Sequence, residues 1–127
     1  MLTFYPELHA DIKITKIVVI VNGKEIGHFL LVPHSLEMYE IHTAPFDLEY
    51  KGKVAIIGKM ALEWGFKNMP RLQKLISYVP KHNRLASILA RKVGMKLEGI
   101  IKESFLFDGK MEDQELYGIT RGEVECL

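Results

Sequence analysis

The stretch that decides the fold is NRLASILARKVGMKLEG, residues 83–99. Asn83 is a favoured residue immediately before a helix, because its side chain accepts a hydrogen bond from a free amide of the first turn. Gly94 is a typical stop, since glycine adopts the left-handed conformation that ends helices. The sequence therefore predicts a helix over residues 83–93 and a strand that starts at Lys96. The side chains expected on the buried face of this helix are Leu85, Ile88, Leu89 and Val93.

A strand–helix–strand unit precedes this helix. Residues 37–43 and 72–79 carry the aromatic and β-branched side chains typical of strands. The helix predicted between them covers residues 53–67 and follows a loop over residues 44–52. Because such a unit forms a right-handed crossover, the two strands should pair in parallel. The helix residues expected to face the core are Val54, Ile57, Ala61 and Trp64.

Two hairpins flank this unit. Asn22-Gly23 and Asp108-Gly109 are strong signals for tight turns, because both central positions of the favoured turn need a positive φ. The strands expected around these turns are residues 16–22, 25–32, 96–107 and 114–120. The sequence therefore predicts an α/β fold with a mixed sheet: antiparallel N-terminal strands, a central β-α-β-α unit and a C-terminal β-hairpin.

Length and composition bound the class of protein. With 127 residues, we expect one domain over residues 1–127. The 17 basic and 16 acidic residues nearly cancel, which argues against a nucleic-acid partner. The single Cys126 rules out an intrachain disulfide, and the histidines show no metal-site spacing, so no metal is expected. The irregular residues 1–11 lack a signal-peptide pattern, and the longest apolar run, 17–21, is too short for a membrane span, so we expect a cytoplasmic location.

Several weak motifs occur in an informative order in the second half of the chain. They comprise Asn83, Ala86, Gly94, Glu98, Gly99, Asp113, Tyr117, Gly118 and Arg121. This order resembles the GNAT N-acetyltransferases, especially the branch of ribosomal-protein alanine acetyltransferases. The resemblance covers roughly residues 15–121. It implies acetyl-CoA as co-substrate and a primary amine as acceptor.

The loop EYKGKV, residues 49–54, precedes the first helix. A glycine turn that runs into a helix N-terminus presents free N–H groups to an anion. In the GNAT family this loop binds the CoA pyrophosphate, although here Glu49 replaces a basic or amide residue and Val54 a small one. The alternative is that Gly52 only permits a turn and that the lysines are solvated. The contacts that the resemblance implies at this loop are Lys51, Gly52, Lys53, Val54 and Ala55.

Asn83 and the third predicted strand supply the remaining cofactor contacts. In the family the residue matching Asn83 binds the pantetheine arm, although N-capping alone explains an asparagine there. Peptide N–H groups of the third strand orient the thioester, and Thr43 at the end of this strand completes the expected set. Many relatives carry a Tyr at the position of Ala90 as general acid, and that role is unfilled here or falls to another residue.

Glu40 and His42 are the candidate catalytic bases. They lie two residues apart on the third strand and therefore share one face of the sheet. A histidine that titrates near neutral pH suits removal of a proton from an incoming ammonium. The alternative is that both are polar side chains on a solvated face.

The family usually begins with a strand and two helices that form one wall of the acceptor site. The residues before the first predicted strand are too few for these elements, so we expect a shortened domain. Such short versions resemble proteins encoded by bacteriophages. The alternative function is therefore a catalytically inactive binding or assembly protein, such as a phage virion-assembly factor. A homo-oligomer or a partner protein would complete the wall. An oligomer that buries an exposed sheet face is a further option, with Met38, Phe29 and Tyr39 as candidate contacts, although core packing explains these residues equally well.

Overall fold

A computed structural model describes residues 13–125 of the chain. Its elements are β1 (Thr15–Val21), β2 (Lys24–Pro33), β3 (Met38–Thr43), a 3-10 helix (Leu48–Lys53), α1 (Val54–Asn68), β4 (Lys74–Pro80), α2 (Arg84–Lys92), β5 (Lys96–Phe107), β6 (Lys110–Thr120) and α3 (Arg121–Glu125). The predicted order of strands and helices is confirmed. The predictions for residues 1–11 and for Cys126 lie outside the described residues.

The six strands form one mixed sheet in the order β1-β2-β3-β4-β6-β5. Only β3 and β4 pair in parallel, as expected for two strands connected through α1. The other four neighbouring pairs are antiparallel. The mixed α/β fold predicted from the sequence is therefore confirmed.

Both predicted hairpin turns have the expected backbone. Asn22 and Gly23 have φ values of 51° and 79°, and Asp108 and Gly109 have values of 52° and 77°. Two consecutive positive φ angles match the right-handed twist of the strands on either side. The turn residues thus fix which strand residues pair across each hairpin.

All three helices pack on one face of the sheet. The fully buried strand residues Leu31, Leu75 and Tyr117 belong to a core that also contains Leu62 of α1 and Ala90 of α2. Within residues 13–125, no helix packs on the opposite face. None of the described helices has the length and apolar character that a membrane crossing requires.

The predicted buried face of α1 is partly wrong. Trp64 is 44% exposed, whereas Gly58, Leu62 and Gly65 are buried. A Cβ placed on Gly65 would lie 3.7 Å from Leu72 and 3.8 Å from Leu31, so the glycine side of the helix approaches the sheet closely. Hydrophobic periodicity overlooks glycine, and this explains the error in the rotation of the helix.

The predicted face of α2 is partly wrong for a similar reason: Val93 is buried and Leu89 packs against the core as expected, but the other two residues do not. Leu85 and Ile88 are 80% and 48% exposed, while Ala90 is buried and Ala86 packs against the core beside Leu89. Small alanine side chains let α2 approach the sheet and α1, and the larger apolar residues therefore face outwards. Of the candidate contacts for an exposed sheet face, Phe29 is 2% exposed and Tyr39 packs against the core, as the alternative of core packing expects.

The segment between β3 and α1 was predicted as a loop but contains the 3-10 helix. Phe46 fixes its start: its ring packs against Gly27, where an added Cβ would lie only 2.5 Å from the ring. Asp47 lies 3.1 Å from the Lys24 ammonium, and this hydrogen bond and charge raise the pKa of Lys24. The segment that leads into α1 is thus attached to β2.

Candidate active site

A cleft opens where β3 and β4 separate. Their ladder covers only three residue pairs and ends at Glu40 and Ile76. Beyond this point β3 continues along β2 to Thr43, and β4 continues along β6 to Pro80. The strands therefore diverge and leave a cleft of about 290 Å³ between them, above α1 and α2.

Five elements contribute residues to the cleft, one of them β2 through Phe29. The two strands supply His42 and Thr43 from β3 and Ser77 and Tyr78 from β4. The helices supply mostly small or apolar groups, among them Val54, Gly58, Ala86 and Ala90. The cleft thus has polar groups beside the strand ends and an apolar floor, as is usual for small-molecule sites.

The backbone of β3 adds polar groups to one wall. The Ala44 N–H donates to the His28 carbonyl at 3.0 Å, and the His34 N–H donates to the Met38 carbonyl at 2.9 Å. Because paired residues alternate along an antiparallel ladder, the even-numbered residues of β3 bond to β2 and the odd-numbered ones face β4. The Thr43 N–H lies past the last pair with β4 and therefore faces the cleft.

Asn83 combines both roles that the sequence allows. Its Oδ1 accepts a hydrogen bond of 3.1 Å from the Ala86 N–H, which makes it the N-cap of α2. The same residue lines the cleft. Because the cap uses only the oxygen, the side-chain amide nitrogen remains a donor that a ligand can use.

The structure brings the two predicted bases together and adds a third residue. The His42 Nε2 lies 2.6 Å from Glu40 Oε2, and the His34 Nε2 donates to Glu40 Oε1 at 2.9 Å. The Glu40 side chain is 17% exposed, against 36% for His34 and 51% for His42. Of the three, only His42 belongs to the cleft lining, near the end of β3, and its side chain projects with that of Glu40 from the face opposite the helices.

The sequence interpretation missed His34. Its position follows from the hairpin register, in which Val32 lies opposite Glu40 and Leu30 opposite His42. His34 is two residues beyond Val32, so it reaches the same face on the diagonal from Glu40. A register assigned to the β2–β3 hairpin would have revealed the contact.

The predicted phosphate loop lies outside the cleft lining, apart from Val54. Lys51, Gly52 and Lys53 are exposed, and the first turn of α1 has no side-chain cap. The Val54 N–H bonds to the Lys51 carbonyl, so the 3-10 helix runs directly into α1. Ala55 is half-buried and is also absent from the lining.

The charge at the N-terminal end of α1, on the rim of the cleft, is opposite in sign to the charge on the strand side. Lys51 and Lys53 place two positive charges beside the positive end of the α1 dipole. Glu40 supplies a negative charge on the strand side. The arrangement therefore favours an anionic group at the rim and a cationic group near β3.

Solved structures share this fold. A spermidine N-acetyltransferase SpeG chimera (K23-Q34) from Vibrio cholerae and hSSAT has a TM-score of 0.80 and 22% identity, and the match covers 93% of this chain and 76% of that protein. A GNAT-family acetyltransferase from Bacillus anthracis has a TM-score of 0.68 and 25% identity, with 81% and 63% covered. No protein-family model and no curated protein matches the sequence. The chain therefore has the fold of the GNAT acetyltransferases, as its sequence predicted.

Proposed function

We propose that the protein is an acetyl-CoA-dependent N-acetyltransferase that acts on a primary amine. The observation that carries this proposal is the cleft between the diverging strands β3 and β4, which has Thr43 on one wall and Asn83 beside it. A thin, extended arm with amide groups, such as pantetheine, suits a cleft with strand backbone on one side and small helix residues on the other. The fold neighbours support the same reaction class.

Each part of the donor has a proposed contact. The Thr43 N–H donates to the thioester carbonyl and stabilises the oxyanion that forms during attack. The Asn83 amide nitrogen binds a carbonyl of the pantetheine arm. Lys51 and Lys53, together with the start of α1, attract the pyrophosphate.

The proton of the acceptor ammonium goes to the His42–Glu40 pair. The neutral amine then attacks the thioester carbon, the carbon–sulfur bond breaks, and the electron pair leaves on the thiolate of CoA. The attacking nitrogen loses its second proton to water as the amide forms. Since Ala90 carries no acidic proton, the released thiolate takes its own proton from water. The products are an N-acetyl amine and free CoA.

The test is calorimetric titration of the protein with acetyl-CoA. Gly52→Glu adds a negative charge at a position where a new Cβ meets nothing within 4 Å, so the fold should tolerate it. We expect binding by the wild type and a loss of at least tenfold in affinity for Gly52→Glu. Gly99→Glu is the matched control, because a Cβ there also meets nothing within 4 Å and its strand lies outside the cleft. Failure of the wild type to bind millimolar acetyl-CoA would overturn the proposal.

A binding protein without catalysis is the second candidate. It is favoured by Ala90, which lines the cleft but supplies no general acid, and by Glu49 in the loop. Turnover separates the two candidates: acetyl-CoA binding without N-acetylation of spermidine or of an alanine-terminated peptide would favour the second. The ribosomal-protein branch, the bacteriophage source and the cytoplasmic location stay predictions.

We infer further that the acceptor reaches the site from the sheet face opposite the helices. Glu40 and His42 project from this face, and Val18, two strands away, is 42% exposed on it. A second copy or a partner protein that covers this face completes the acceptor wall. Light scattering of the wild type and of Val18→Lys tests the first option, and a monomer with full activity would overturn it.

A further inference from the structure

One carboxylate on the open face of the sheet is held by two histidines. His34 donates to Oε1 of Glu40 at 2.9 Å, and the His42 Nε2 lies 2.6 Å from Oε2. Each oxygen of Glu40 therefore has its own imidazole partner. The two histidines come from different segments, the β2–β3 connection and the end of β3.

The contacts determine which ring nitrogen carries a proton. An ionised carboxylate only accepts hydrogen bonds, so the nitrogen beside it must bear the hydrogen. Neutral His42 therefore has its proton on Nε2 and a free lone pair on Nδ1. In a histidine the partner of one nitrogen fixes the role of the other.

From this geometry we propose that His34 is a positioning residue for the acceptor base. It fixes the carboxylate of Glu40, which in turn fixes the tautomer and the orientation of His42. The Nδ1 of His42 then takes the proton of the acceptor ammonium, and the imidazolium that forms lies beside the negative charge of Glu40. This inference rests on the proposed function, since it assigns the base for that reaction.

The local fold does not require the His34 side chain. The turn is already closed by backbone bonds from His34 and Ser35 to the Met38 carbonyl, at 2.9 and 3.1 Å. The Ser35 hydroxyl accepts from the N–H groups of Glu37 and Met38. The imidazole instead points to Glu40 and lies 6.4 Å, between ring centroids, from Tyr78, which lines the cleft.

The experiment compares the wild type with His34→Ala and His34→Gln. Glutamine keeps an N–H donor near the position of Nε2, so it should rescue what alanine loses. His28→Ala is the matched control, because the contact of this histidine is with Glu25, at 3.6 Å from Nδ1. Three quantities are measured: acetyl-CoA affinity by calorimetry, turnover with spermidine and with an alanine-terminated peptide, and the ¹⁵N spectrum of the histidine rings.

We expect acetyl-CoA affinity to change by less than about twofold in all variants, since His34 does not line the cleft. The kcat of His34→Ala should fall roughly 10- to 100-fold, part of the usual contribution of a general base, and His34→Gln should recover most of it. The His42 ring should carry its proton on Nε2 in the wild type and become a mixture of tautomers in His34→Ala.

These measurements distinguish failure of the proposed function from failure of the role proposed for His34. A wild type that does not bind acetyl-CoA would overturn the proposed function, while the ring spectra would still test the position of the His42 proton. An unchanged His42 spectrum in His34→Ala, or equal turnover of His34→Ala and His28→Ala, would overturn the role of His34. A protonated Nδ1 in wild-type His42 at neutral pH would do the same.

Discussion

The two ends of α1 are built in opposite ways. At the C-terminal end the Arg121 guanidinium donates to four carbonyls: those of Phe66 at 2.8 Å, of Met69 and Leu72 at 2.9 Å and of Pro70 at 3.3 Å. At the N-terminal end Lys53 occupies the cap position without a side-chain hydrogen bond. One end of the helix is thus closed by a side chain, whereas the other has no side-chain cap and is joined through the Val54 N–H to the 3-10 helix.

From this difference we infer that the C-terminal end of α1 contributes to stability and that its N-terminal end contributes to ligand binding. Carbonyls at a helix C-terminus need partners, and a guanidinium with several donors supplies them in a fixed geometry. Amides at a helix N-terminus attract anions only while they remain free. A chain that capped both ends of α1 would gain stability and lose the anion site that we propose.

Arg121→Ala should have the largest effect. It removes four charge-assisted hydrogen bonds, three of them partly buried, and such bonds contribute about 1.5–3 kcal/mol each before relaxation. We expect a loss of about 3 kcal/mol in the free energy of unfolding, measured by urea denaturation. Arg84→Ala, which replaces an exposed arginine on α2, is the control and should change stability by less than about 0.5 kcal/mol. Equal stability of the two variants would contradict the role assigned to Arg121.

Gly27→Ala should cause the second largest loss of stability, and it affects the segment that leads into the N-terminal end of α1. The added Cβ would lie 2.5 Å from the Phe46 ring, so the ring and the segment that follows must move. Overpacking of this kind costs roughly 1–3 kcal/mol, and the displaced 3-10 helix should also weaken acetyl-CoA binding. Urea denaturation and calorimetry on the same samples measure both effects.

Gly99→Ala is the matched control for this substitution, since its Cβ meets nothing within 4 Å. The double variant Gly27→Ala with Phe46→Leu should recover part of the stability, because the smaller side chain makes room. A Gly27→Ala protein with unchanged stability would show that Phe46 moves freely, and the segment would then not be attached to β2 as described.

The double variant Lys51→Ala/Lys53→Ala tests the free end of α1. Exposed charge contacts contribute up to about 1 kcal/mol each, so acetyl-CoA affinity should fall roughly tenfold while stability stays nearly constant. The affinity of the wild type should also depend more steeply on salt than that of the variant. Lys59→Ala/Lys67→Ala, on the same helix but away from its start, should leave affinity unchanged. Equal losses in both double variants would exclude a local anion site.

The contrast also explains what the sequence could predict. Strands, tight turns and helix caps can be predicted from a few neighbouring residues, as the turn at Asn22-Gly23 and the N-cap at Asn83 show. The sequence did not fully predict which faces of α1 and α2 are buried. Gly58, Gly65 and Ala90 face the core because their small size lets the helices pack closely, and a hydrophobic pattern does not register this. His34 was missed because its contact with Glu40 depends on the pairing of β2 and β3.

The smallest effect is expected at α3, which begins with Arg121. Thr120 and Glu123 cap each other: the Thr120 N–H donates to Glu123 Oε1 at 3.0 Å, and the Glu123 N–H donates to the Thr120 hydroxyl at 3.2 Å. The nearby Lys96 ammonium, at 3.0 Å, and these Thr120 bonds lower the pKa of Glu123.

Because the folded-state pKa of Glu123 is lowered, the ionised carboxylate stabilises the protein above the ordinary pKa of a glutamate, and this contribution is lost as pH falls through the lowered value. Glu123→Gln should therefore be slightly less stable than the wild type at pH 7. The difference should shrink towards zero in acid, when urea denaturation is repeated at decreasing pH. A difference that grows in acid would contradict the sign. Since α3 carries Arg121, loosening its cap should weaken the closed end of α1 and leave acetyl-CoA affinity at the free end unchanged.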